Sequence, residues 1–221
     1  MANRAQAEAP HANTGPLRIL LETLKASGPD PQGRLVLAHA LLSSVDEAVL
    51  ATRPTAELTT LVDHAMAFLQ EKPVGAPKVA VRSLGGDRAV IEILNQDMPF
   101  LVDSIAAELH TRGLAIDLVL HPLIKCERTP DGRLVRILGS GDKSWNDTRQ
   151  ESYIATYVSG LAAGEDDAIV AALKDILKEV RTAVGDWQAM LARLGKAIAD
   201  LEAAPASVPA AMRQEAIAFL K

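Results

Sequence analysis

Asn95-Gln96-Asp97-Met98-Pro99-Phe100-Leu101-Val102-Asp103-Ser104-Ile105, continued by Glu108-Leu109-His110-Thr111-Arg112-Gly113 and closed by Leu114-Ala115-Ile116-Asp117-Leu118-Val119-Leu120-His121, is the stretch that decides the fold. The run before it, Ala89-Val90-Ile91-Glu92-Ile93-Leu94, is rich in β-branched residues and alternates, which predicts a strand. Asp97 can accept from the first free helical N–H groups and Pro99 has no N–H to leave unpaired, so a helix is expected from about residue 98. Leu101, Val102, Ile105, Ala106 and Leu109 recur at three- and four-residue spacing and form the face that packs on a sheet. Gly113 sits where a left-handed C-terminal cap is needed, and Ile116, Leu118 and Leu120 then alternate with polar neighbours as a second, half-buried strand.

Working outward, Val79, Val81 and Leu84 alternate ahead of Leu84-Gly85-Gly86-Asp87, so residues 78 to 94 are expected to be a β-hairpin. After His121 the chain runs extended to Arg128, turns at Thr129-Pro130-Asp131-Gly132 and resumes at residues 134 to 138 as a second hairpin. A polar loop carrying Trp145 follows, then a strand over 151 to 158. A helix from Glu165 to Val184 is marked by Ile169, Leu173, Ile176, Leu177 and Val180. Gly185 and Asp186 are expected to stop that helix and cap the next, which carries Trp187, Met190, Leu191 and Leu194. Pro209 opens a final helix with no stop signal, which suggests that the chain continues into a longer protein.

Towards the N-terminus, residues 1 to 15 lack periodicity and are expected to be a disordered tail. Leu17 to Leu24 fit a short helix stopped by Gly28-Pro29, Gln32 to Thr52 keep helical spacing up to Pro54, and a third helix begins near Thr55. The expected organisation is thus a tail at 1–15, a helical segment at 16–72, an α+β domain at 78–184 and C-terminal helices at 185–221.

With 48% apolar residues but only 3% aromatics, the core must be built from Leu, Val, Ile and Ala. The net charge of -5 gives no electrostatic footprint for nucleic acid or an anionic membrane. A single cysteine, Cys126, excludes an internal disulfide, and no run of about 18 apolar residues could cross a bilayer. A cytoplasmic protein is expected. No two of His11, His39, His64, His110 and His121 have the i, i+4 spacing of a helical metal pair. Gly85-Gly86 and Gly139-x-Gly141 lack the strand, glycine-rich turn and helix of a dinucleotide site. Cys126 is either inert or, through Lys125 and Arg128, lowered in pKa.

The candidate site is the strand-to-helix switch. Free backbone N–H groups there can hold a carboxylate, and Asp97 or Asn95 could accept from an ammonium, so an amino acid is the ligand these residues suit. The other reading is that Asn95 and Gln96 merely shape the turn and Asp97 caps the helix.

Asp97-Met98-Pro99-Phe100-Leu101-Val102, with Ile105, Leu109, Gly113 and Ile116, resembles the Asp-x-Pro-Gly-Leu-Leu signature of ACT domains, the small βαββαβ modules that bind amino acids and regulate enzymes. Phe100 stands where that family has glycine, a residue that lets ligand groups approach the backbone. Asn95 through Ser104, Leu120-His121-Pro122, Gln150-Glu151-Ser152 and Asp186-Trp187 are similar, more narrowly, to the N-terminal region of the large bacterial NAD-dependent glutamate dehydrogenases, over roughly residues 35 to 221.

The resemblance implies an α+β, ferredoxin-like module with an antiparallel sheet and flanking helices, ligand residues Asn95, Gln96, Asp97, Met98 and Phe100, and no catalytic or metal residues in this region. NAD would belong to the parent enzyme alone, which converts L-glutamate to 2-oxoglutarate and ammonia. The implied partners are downstream domains, neighbouring subunits of a homo-oligomer and an amino-acid effector, without nucleic acid or membrane. The rivals are an oligomerisation module without ligand and a free-standing amino-acid sensor.

Overall fold

The computed structural model describes residues 15–26, 28–144, 148, 150–203 and 209–220. The expected tail up to residue 14 and the part of the polar loop around Trp145 lie outside the described residues. Four helices come first: α1 (Pro16–Ala26), α2 (Pro31–Leu42), α3 (Glu47–Ala51) and α4 (Thr55–Leu69). The two hairpins follow as β1 (Lys78–Gly85) with β2 (Arg88–Gln96), and β4 (Leu123–Arg128) with β5 (Leu134–Ile137). Between them lie α5 (Leu101–Thr111) and β3 (Ala115–Leu120), and after them come β6 (Gln150–Ser159), α6 (Asp166–Glu202) and α7 (Ala210–Leu220).

β6 is the axis of the sheet. One edge pairs antiparallel with β2 from Ala89↔Val158 to Gln96↔Glu151. The other edge is shared, with Leu123 to Lys125 of β4 against its first residues and β3 against the rest. Pro122 divides these two partners, and its carbonyl accepts from the Tyr153 N–H at 3.2 Å, which keeps the edge continuous. All the pairings are antiparallel, as the α+β reading expects. The strand beside β2 is β1, which precedes it in the chain, and no strand follows α6 among the described residues.

Strand alternation gives each face its own core. Val90 and Leu94 of β2 join Tyr153 of β6 and Leu120 of β3 in packing against α1, α2 and α4. Ala89, Ile91 and Ile93 face the other way and pack with Leu101, Ile105 and Leu109 of α5 and Ile169, Leu173 and Leu177 of α6. The sheet is thus covered on both faces, and the N-terminal helices are one of its layers. Arg34 of α2, almost wholly buried, clamps Asp63 of α4 through two nitrogens at 2.7 and 2.8 Å.

Two helices differ from what the residues predict. The helix expected over 32 to 52 is divided, because Asp46 leaves helical geometry and accepts from the Ala48 N–H at 2.7 Å, a side-chain cap that starts α3 anew. The break expected at Gly185 is absent, and α6 runs through it for 37 residues. A mid-helix glycine costs only about 1 kcal/mol relative to alanine, too little to end a helix so long.

Gly113 behaves as expected: at φ 77 it lets its own N–H reach the His110 carbonyl and the Leu114 N–H reach Leu109, closing α5 with paired carbonyls. Gly132, at φ 91 in the β4–β5 turn, also lies against the chain beyond α4, where a Cβ would stand 2.1 Å from the Lys72 carbonyl oxygen. No helix among the described residues is long and apolar enough to cross a membrane.

The two glycines make opposite demands. Gly185→Ala, whose added methyl meets nothing within 4 Å, should stabilise the chain by up to about 1 kcal/mol in urea unfolding. Gly132→Ala should destabilise it by more than that, through both steric conflict and backbone strain. A loss of stability in Gly185→Ala would mean that α6 is broken there.

Candidate functional site

The end of β2 sets two successive residues on opposite faces of the sheet. Asn95, opposite Ser152, lies on the α5–α6 face, and Gln96, opposite Glu151, is turned away from it and exposed. The Asp97 N–H donates to the Gln150 carbonyl at 3.1 Å, so pairing with β6 runs one residue past the strand. Met98 packs against the α5–α6 core and Pro99 is exposed.

Phe100 then takes φ 70 and ψ 6, the left-handed region, at the N-cap of α5. A non-glycine residue costs roughly 1–2 kcal/mol there, and the ring, 64% exposed, recovers little by burial. The backbone thus keeps a conformation suited to the glycine of the ACT signature while the side chain is phenylalanine. Here the expected helix start is corrected: α5 begins at Leu101, not near 98, and no side chain caps its N-terminus. Asp97 is therefore not a helix cap.

The Asp97 carboxylate is engaged elsewhere. Its Oδ1 accepts from the Ser152 hydroxyl at 2.7 Å, and Ser152 Oγ lies 3.1 Å from His121 Nε2. Since the serine has one proton and gives it to the carboxylate, the imidazole must donate through Nε2–H. These are the residue types of a hydrolytic triad in an order that cannot activate a nucleophile, because the serine stands in the middle, wholly buried. His121 is solvent-exposed at its outer side, yet loss of water around its ring lowers its pKa, with the Asp97 charge opposing in part.

Asn95 is 0% exposed. Its Oδ1 accepts from Arg181 Nη2 of α6 at 3.2 Å, and the other arm of Arg181 donates to the Gly75 carbonyl. The Asn95 Nδ2 has no partner among the described residues. A buried amide nitrogen without an acceptor costs about 1–3 kcal/mol, so this one marks a place where an acceptor would be stabilising. The corner therefore joins three of the expected residues, Asn95, Asp97 and Phe100, to an uncapped helix N-terminus, while Gln96 points away.

Ser152, His121 and Arg181 were not singled out by residue pattern alone. Ser152 and His121 belong to the motifs that carried the family resemblance, but their meeting needs the register of β6. Next to them, Glu151 is gripped by Arg128 at 2.8 Å and Lys72 at 3.4 Å, with the Cys126 thiol donating at 3.5 Å. Burial and the Glu151 charge push that thiol up to about 12, the opposite of activation by neighbouring cations. No group of three or more His, Cys, Asp or Glu placed to hold a metal occurs among the described residues.

A family model described as "Glutamate dehydrogenase, ACT1 domain" matches residues 37–173. An NAD-specific glutamate dehydrogenase of Halomonas elongata is 34% identical over 193 residues, covering 83% of this chain and 12% of that protein. Another from Pseudomonas aeruginosa is 34% identical over 132 residues, covering 59% of this chain and 8% of that protein. The chain thus spans only about a tenth of the length of these relatives.

Because its pKa is lowered by folding, His121 binds fewer protons folded than unfolded, so it should contribute a loss of stability as pH falls from its ordinary value near 6.5 towards its folded pKa. His121→Gln should flatten that part of the stability profile in thermal unfolding between about pH 7.5 and 5. Titration of His121 by NMR at or above about 6.5 would contradict the burial argument.

Proposed function

This chain belongs to the ACT1 domain family of glutamate dehydrogenase, and on that premise we propose that it is a non-catalytic regulatory region, N-terminal in a large NAD-dependent glutamate dehydrogenase, which binds an amino acid at the corner between β2 and α5. The observation that carries this is the orphaned Asn95 amide nitrogen at the end of the strand that leads into the uncapped α5. The α-carboxylate would take that nitrogen and the free α5 N–H groups, and the ammonium would take Asp97, whose Oδ2 is not used by Ser152. Gln96, Met98 and Phe100 would border the ligand.

The parent enzyme, acting in the cytoplasm, would oxidise L-glutamate to 2-oxoglutarate and ammonia with NAD as hydride acceptor, in domains outside this region. An effector bound here changes that activity only as far as it binds one conformation of the enzyme better than another. Arg181 offers a physical route, since it joins Asn95 to α6 and to the segment before β1.

A second reading is assembly: contact with neighbouring subunits or downstream domains. Trp187, Met190 and Leu191 of α6 and Met212 and Phe219 of α7 favour it, because all are exposed apolar side chains.

Calorimetry of the chain against a panel of amino acids separates the two. We expect heat with at least one of them. Asp97→Asn, which keeps the acceptor for Ser152 but removes the charge, should weaken binding about tenfold, or 1.4 kcal/mol. Asn95→Ala should weaken it at least as much. Heat with none of them, together with a dimer in light scattering, would leave assembly as the role.

A further inference from the structure

At the opposite end of β2 from Asn95, a cavity of about 320 Å³ opens between the α3–α4 corner and the face of the sheet. Neither Asn95 nor Asp97 lines it. Its floor is apolar, with Leu42, Leu50, Leu58 and Leu120 all buried beneath it. Its polar side chains lie on both walls, with Arg53, Glu57 and His64 on the helical side and Arg82, Arg88 and Tyr157 on the sheet.

Those groups are only partly used within the chain. Arg53 is paired with Glu57, and Asp117 accepts from Ser159 at 3.4 Å. Arg82 engages the buried Glu92 through Nε alone, at 3.5 Å, which leaves its terminal nitrogens free for another acceptor. The exposed Arg88 side chain has no hydrogen bond or ion pair among the described residues, and the half-buried Tyr157 hydroxyl has no hydrogen bond among them. Burial holds the Tyr157 phenol above its usual range, so it remains a donor at neutral pH. An apolar chamber of this volume with a few convergent donors at one side is the form of a small-molecule site.

We propose that this cavity binds a small monocarboxylic acid, with its carboxylate held by Arg82, Arg88 and Tyr157 and its apolar tail on the leucine floor. Guanidinium groups suit a carboxylate because their paired N–H donors match its two oxygens. The chemistry differs from that at the β2–α5 corner in needing no acceptor for an ammonium. Because one wall is the helical layer and the other the sheet, an occupant bridges the two and stabilises their packing.

Hexanoate is a suitable probe, with n-hexanol and inorganic phosphate as controls, on the whole 221-residue chain. Amide shifts at Arg82, Arg88 and Tyr157 should saturate with a Kd of about 1 mM or tighter, and the Tm should rise with hexanoate concentration. Arg88→Gln, at an exposed side chain, and Tyr157→Phe, which keeps the ring that packs on the core and removes only the hydroxyl, should each weaken hexanoate by about fivefold and leave n-hexanol unchanged. Equal binding of n-hexanol would reduce the cavity to an apolar crevice, and equal binding of phosphate would reduce it to a basic patch. Either result, or unchanged affinity in both variants, overturns the proposal. None of these outcomes bears on the amino-acid site, whose residues lie elsewhere.

Discussion

The register between β2 and β6 is the constraint on which the rest of this fold depends. Eight consecutive residue pairs fix it, from Ala89↔Val158 to Gln96↔Glu151. Because strand side chains alternate, a slip of one residue would turn Ile91 and Ile93 towards the N-terminal helices and Val90, Glu92 and Leu94 towards α5 and α6. Both cores would be lost together. The same register sets Ser152 opposite Asn95 and within reach of Asp97, so the polar corner follows from the pairing that builds the two apolar layers.

Buried polar groups show how that pairing is held in place. Glu92, the single carboxylate of β2, accepts from the Tyr153 hydroxyl at 2.7 Å, and Arg82 of β1 lies beside it. Glu151 is fixed from several directions by Arg128, Lys72 and Cys126. Such groups are costly to bury unless satisfied, so each favours one alignment of the strands over its neighbours. Asn95 is the exception, since one half of its amide is satisfied and the other is not.

Much of the fold was legible in the residues because it is specified locally. The alternation at 89–94, the Gly85-Gly86 and Pro130-Asp131-Gly132 turns, the Gly113 cap and the stripe from Ile169 to Val180 each carry their own cause. What was missed depends on contacts between distant residues. Asp97 reads as a helix cap until Ser152, 55 positions away, takes its carboxylate. Gly185 reads as a stop, yet the cost of one glycine is small beside that of ending a long helix. The α1–α4 layer has helical stripes whose sequence does not say which surface they cover. The corner carries a motif, whereas the cavity beneath α3 and α4 has no sequence signature, being formed from seven separate elements and the segments between them.

The unbroken course of α6 has a mechanical consequence. At 1.5 Å per residue its 37 residues extend roughly 55 Å, and its apolar contact with the core on the sheet and α5 ends at Val184. The remainder is a rigid arm anchored at one end, and Arg181 sits at its fulcrum, bonded to the Asn95 amide. A change of about 5° in the angle of the helix there would carry its far tip through about 2–3 Å, while the sheet itself scarcely moved. A displacement too small to disturb the core is in this way enlarged to the scale on which one protein surface registers against another.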